Sequence, residues 1–159
     1  INDLPAHLHK KFDIVFTSYG TIGWLPDLDK WARVISGFLN PGGAFVFVEF
    51  HPMVWMFDQD FGKIVYRYFN SEAIIETETS TYTAKDDELL TENVTWNHGI
   101  GEVITSLIQN GLRIDFLEEY DFSPYDCFNK TEKFKTGKFR IKHLDNKIPM
   151  VYSIKARKD

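Results

Sequence analysis

One cysteine, Cys127, stands in 159 residues, so neither an intrachain disulfide nor a multi-cysteine zinc site can form, and no metal site is expected. Long apolar runs are missing too. None approaches the ~20 residues that span a bilayer and no signal peptide is visible, which points to a cytoplasmic protein with no membrane partner. Positive charge is scarce and dispersed: 18 lysines and arginines face 23 aspartates and glutamates, a formal net charge of -5, and the one basic cluster, 130–142, is interrupted by Glu132 and Phe134. Neutralising a phosphate backbone requires clustered cations, so no nucleic-acid partner is expected. Nor does any GxGxG follow a strand. Gly20, Gly23, Gly42, Gly43, Gly99 and Gly101 are not spaced as a loop that cradles a phosphate or an adenosyl group.

What is present is an ordinary globular composition, 43% apolar, in a length that supports one compact unit over residues 1–159 with an elaboration. The run 12–16 (FDIVF) is almost continuously apolar, as is 44–50, and both read as strands covered on two faces. Between them Leu28, Trp31, Val34, Ile35, Phe38 and Leu39 form one apolar stripe at helical spacing. Asp27 or Asp29, behind Pro26, supplies an N-cap, and Asn40-Pro41-Gly42-Gly43 ends the helix, since proline cannot continue it and glycine accepts a left-handed turn. A strand, a crossover helix and a strand imply parallel pairing, so the segments bearing Val15 and Val46 are expected side by side in one direction.

Downstream, 53–62 reads as a loop or short helix. Runs 63–69, 73–83 and 89–96 are rich in β-formers and are separated by Asn70-Ser71 and Asp86-Asp87, which suggests an inserted antiparallel meander over 63–96. Ile100, Val103, Ile104, Leu107 and Ile108 repeat the helical stripe, with Asn97 or His98 at its start and Gly111 at its end. The run 112–120 reads as a strand, 123–142 as an irregular aromatic excursion, and 149–157 as a last strand antiparallel to 112–120.

The segment FDIVFTSYGTIGWLPDLDKWARVISGFLNPGGAFVFVEFHP, with the later TWNHGIGEVITSLIQNGLRIDFLEEYDFSPYD and KIPMVYSIKARK, resembles the carboxyl-terminal portion of class I S-adenosylmethionine (SAM)-dependent methyltransferases of the small-molecule branch. The resemblance implies an α/β fold: the C-terminal half of a Rossmann-like sheet, two parallel strands plus an antiparallel terminal hairpin, with the β meander as a substrate cap. The first three strands of that family, its glycine-rich loop and its ribose-binding acid have no counterpart here. The chain begins at Ile1 without methionine and enters a buried strand within about a dozen residues, as expected of a fragment that is inactive alone.

In that family ligands lie beyond the carboxyl ends of the parallel strands. The resemblance therefore implies that Thr17, Ser18, Tyr19 and Gly20 border the methionine end of SAM, although the same four residues can simply turn the chain. Methyl transfer is an in-line displacement, and a general base helps only where the acceptor must lose a proton. His51 and His98 are the candidate bases or orienting groups, each with a competing packing or capping role. Glu49 ends its strand beside His51, where it either orients that ring or meets solvent. Trp24, Trp55, Trp96 and Tyr125 fall in rim or cap segments, where an aromatic enclosure would exclude water and favour a cation. Trp31, on the helix stripe, is structural.

The expected activity is methyl transfer from SAM to a small-molecule substrate. The turn Thr-Ser-Tyr-Gly replaces the Asn/Asp-Pro-Pro-aromatic turn of enzymes that grip planar amides or bases, and Cys127 lies far from any Pro-Cys nucleophile position. Two other readings compete: half of a nicotinamide-dependent dehydrogenase, opposed by the terminal hairpin, and a catalytically silent binding or regulatory domain on the same scaffold. The bared backbone of 13–16 and the flanking apolar surface predict self-association through the sheet edge.

Overall fold

In the computed structural model, which describes residues 3–80 and 89–159, β1 (Phe12–Thr17) lies parallel to β2 (Leu39–Phe50), with Val15 opposite Phe45 and Phe16 opposite Val46. The pairing expected of the two apolar runs is therefore present. Before β1 comes a single helical turn, α1 (Leu4–His7), and between the strands runs α2 (Leu28–Phe38). Asp27 caps α2, its Oδ1 accepting from the Lys30 N–H at 3.0 Å.

The helix stops at Phe38, and Asn40-Pro41-Gly42-Gly43 belongs to the irregular first part of β2, where pairing jumps from Phe12–Leu39 to Ile14–Ala44. Gly42 takes φ +75°. At Gly43 a Cβ would lie 2.8 Å from the Asn40 carbonyl oxygen, so the chain reverses too tightly for any side chain there.

The sheet continues through β8 (Val151–Lys158), antiparallel to β2, to β5 (Leu112–Tyr120), antiparallel to β8, in the order β1-β2-β8-β5. The stripe of α2 meets one face. Trp31, 1% exposed, has its ring centroid 5.6 and 5.3 Å from those of Phe45 and Phe47. Truncating such a side chain to alanine costs about 3–5 kcal/mol. Val103 and Leu107 of α3 (Ile100–Gln109) join the same core. Gly99 occupies the α3 N-cap, so Asn97 and His98 do not cap it. Gly111, at φ +78°, follows the helix as expected.

On the opposite face the alternate β1 residues Phe12, Ile14 and Phe16 remain 40%, 65% and 61% exposed.

The meander is reduced to a hairpin. β3 (Ile74–Ser80) pairs antiparallel with β4 (Leu89–Thr95), whereas 63–69 forms no strand. Its polar groups are taken locally: the Val65 and Tyr66 N–H groups both donate to the Met56 carbonyl, and Ile64 makes one isolated bridge to Phe57. The Asp86-Asp87 turn and positions 81–83 lie outside the described residues. The excursion 123–142 is more regular than its sequence suggests, since β6 (Thr131–Lys135) and β7 (Lys138–Ile141) form a hairpin. A second apolar cluster, Phe50, Val54, Phe61, Ile141, Met150 and Val151, fastens these loops to the carboxyl end of β2.

Candidate functional site

Beyond the carboxyl ends of β1 and β2 the chain encloses a cavity of about 960 Å³. Its floor is set by Glu49. This carboxylate, 2% exposed at the end of β2, reaches across to the loop that leaves β1. Oε1 accepts from the Gly20 N–H at 2.5 Å and the Phe50 N–H at 2.8 Å. Oε2 accepts from the Thr21 N–H at 2.8 Å, the Thr21 hydroxyl at 3.1 Å and the Ile22 N–H at 3.4 Å. Charge-assisted bonds to a buried carboxylate are the strong kind. Glu49 thus neither orients His51 nor meets solvent; it folds the post-strand loop, which Gly20 enters at φ +72°.

Of the residues predicted for the site, Gly20, Trp24, Trp55, Trp96 and His98 line this cavity; Thr17, Ser18, Tyr19, His51 and Tyr125 do not. Tyr19 and Tyr125 stand beside it, with centroids 5.7 Å apart and each packed against Phe50. Trp24 and Trp55 keep 56% and 42% of their surface open, whereas the Trp96 backbone is anchored by its N–H donating to the Gly23 carbonyl at 2.8 Å.

His51 points toward β8 and β5 instead. Its ring packs edge-on against Tyr152, Nδ1 accepts from the Met53 N–H at 3.0 Å, and the Nε2–H is left to donate to Glu119 at 2.8 Å. Burial pushes the imidazole below its ordinary value, outweighing the Glu119 carboxylate, which acts the other way. Both nitrogens are engaged, so no lone pair is free for a substrate proton.

His98 lines the cavity yet is 3% exposed. Nε2 lies 2.8 Å from the Leu25 carbonyl oxygen, and Nδ1 lies 3.0 Å from Glu102 Oε1 and 3.3 Å from Asn70 Nδ2. This ring ties the start of α3 to the loop before α2 and is likewise fully occupied.

Three further wall residues, Tyr66, Glu76 and Asn97, carry no sequence signal for the site. Tyr66 donates its hydroxyl to Glu76 Oε1 at 2.5 Å, and that bond, with some burial, raises the phenol to about 12. Asn97, 3% exposed, donates Nδ2 to the Pro52 carbonyl at 3.1 Å and the Arg67 carbonyl at 2.9 Å. Among the described residues its Oδ1 has no partner. No cluster of metal-ligating side chains occurs among the described residues, and no described helix is long and apolar enough to cross a membrane.

No family model and no curated protein matches the sequence. Solved structures do match. A protein from Listeria monocytogenes assigned to the SAM-dependent methyltransferases shares 15% identity and a TM-score of 0.58 over 94% of this chain and 62% of its own. A SAM-dependent methyltransferase from Mesorhizobium loti gives 20% and 0.53 over 96% and 66%. One from Methanosarcina mazei gives 13% and 0.56 over 96% and 63%. The chain thus spans less than two thirds of the length of these proteins. At such identities the likeness concerns the fold alone: the mixed α/β arrangement around β1, β2, β8 and β5 is that of the class I SAM-dependent methyltransferases.

Proposed function

We propose that this chain is the carboxyl-terminal portion of a SAM-dependent methyltransferase acting on a small molecule. The observation that carries the reading is the position of the cavity: it opens where two parallel strands end, against a loop whose shape is imposed by Glu49, and its walls are aromatic. In open α/β sheets that crevice is where ligands bind. Gly20, with its positive φ and open surroundings, leaves room for a ligand to approach the backbone, which suits the methionine end of SAM. For the adenosine side, the described residues offer no glycine-rich loop.

When bound, SAM supplies an electrophilic methyl group on a sulfonium that is itself an excellent leaving group. The task left to the protein is alignment and exclusion of water. Trp24, Trp55 and Trp96 provide the apolar walls, and the Gly20–Ile22 loop, held by Glu49, provides a fixed edge. His51 and His98 act as braces of that frame; neither is a base in this reading.

Calorimetric titration of SAM and NADH into the full-length parent protein tests the proposal. Heat with SAM, together with a methylated product by mass spectrometry, supports it. Heat with NADH alone overturns it in favour of a dehydrogenase, and heat with neither supports the silent binding domain.

A further inference from the structure

The cavity wall has a chemical bias. Among the described residues three carboxylates line it, Glu49, Asp58 and Glu76, against one lysine, Lys63, which is exposed. Glu49 is saturated by the post-strand loop, and Asp58 accepts from the Gly62 and Lys63 N–H groups at 2.7 and 3.3 Å. Glu76 differs. Tyr66 occupies Oε1, and Oε2 is unengaged among the described residues.

Asn97 belongs to the frame of the cavity. Two carbonyl acceptors hold its amide NH₂ group, and its Oδ1 is buried out of a guest's reach. Trp24, Trp55 and Trp96 line the same cavity, and indole faces attract cations. A carboxylate oxygen left open and a set of indole rings together select one kind of guest.

We propose that this cavity binds a cationic amine carried on an apolar or aromatic body, with the ammonium donating to Glu76 and the body resting against the indoles. Its role as the methyl acceptor rests on the methyl-transfer reading; the binding itself does not.

Tryptophan fluorescence of the full chain, titrated at neutral pH with phenethylammonium, phenethyl alcohol and 3-phenylpropionate, tests it. The ammonium probe is expected to bind about 10-fold tighter than the alcohol, and the propionate least well. Glu76→Gln is expected to weaken the ammonium probe roughly 5-fold and leave the alcohol unchanged. Tyr66→Phe keeps the charge and is expected to hold the ammonium affinity within about 2-fold. Unaltered melting temperatures keep the comparison to folded protein. Equal affinity for ammonium and alcohol, a preference for the propionate, or equal losses in Glu76→Gln and Tyr66→Phe would overturn the proposal. Amine selectivity together with a full-length parent that binds no SAM would refute methyl transfer and leave the amine site standing.

Discussion

Replacing Glu49 by glutamine changes one oxygen into an NH₂ group and removes a charge, with almost no change of shape. Both carboxylate oxygens accept in the folded protein, Oε1 from Gly20 and Phe50, Oε2 from Thr21 and Ile22. Whichever way the new amide turns, its NH₂ faces two backbone N–H groups. A pair of buried donors then loses its acceptor, and each charge-assisted bond of this kind is worth about 1.5–3 kcal/mol. Local adjustment recovers part of the loss, because the loop is only partly buried and Ile22 N lies at 3.4 Å. The net expectation is about 2–4 kcal/mol of destabilisation, or roughly 5–15 °C in melting temperature for a domain of this size. Urea unfolding followed by far-UV circular dichroism measures the loss. Trp24, next to the loop, should report a red-shifted emission below the transition. Stability within about 0.5 kcal/mol of the parent, the range of an ordinary surface change, would refute the claim that this carboxylate builds the loop.

Three other outcomes follow from named contacts. Because His51 binds protons less readily folded than unfolded, the unfolded chain holds more of them between the lowered value and the ordinary one near 6.5, and stability should fall by up to about 1.4 kcal/mol per pH unit as acid is added through that window. His51→Gln should flatten the slope, and identical slopes would contradict the assignment. Gly43→Ala places a methyl 2.8 Å from a backbone oxygen and should cost about 1–3 kcal/mol, whereas Gly37→Ala, with open space in the last turn of α2, should gain up to about 1 kcal/mol; urea midpoints decide between them. The exposed Ile14 and Phe16 should drive this chain to self-associate, and the double change Ile14→Lys with Phe16→Lys should yield a monomer by light scattering; a monodisperse parent chain would count against the interface.

The parallel pair was legible because both runs are apolar and bounded by strong punctuation, and because the stripe from Leu28 to Phe38 has a single core-facing reading; the cover expected on both faces is present for β2 but not for β1, which has no fully buried residue. The run 63–69 misled for an identifiable reason. Its β-branched and aromatic residues suit a strand, but Val65 and Tyr66 donate to the Met56 carbonyl in a tight local turn, and propensity cannot register a contact made nine or ten residues back. In 123–142 the opposite happened: Lys, Glu and Thr obscured a short hairpin whose turn depends on Gly137 at φ +64°.

The site was harder to read than the fold, and the two histidines show why. Each was placed near the rim by its position after a strand or before a helix, and each does lie there or close by. What decides its chemistry is whether the ring nitrogens are free, and that depends on residues remote in sequence: Glu119 for His51, and Leu25 and Asn70 for His98. Glu49 is likewise 27 to 29 residues from the loop it folds, and Tyr66 is 10 residues from Glu76. A charged residue at a strand end has one sequence signature whether it faces solvent, a partner ring or a row of backbone N–H groups. Only the fold, by bringing the ends of β1 and β2 side by side, turns Glu49 from an isolated acid into the acceptor that gives the cavity its edge. A function built on this cavity therefore rests first on the parallel register of Val15 with Phe45, because a slip of one residue would turn Glu49 to the opposite face and release the loop.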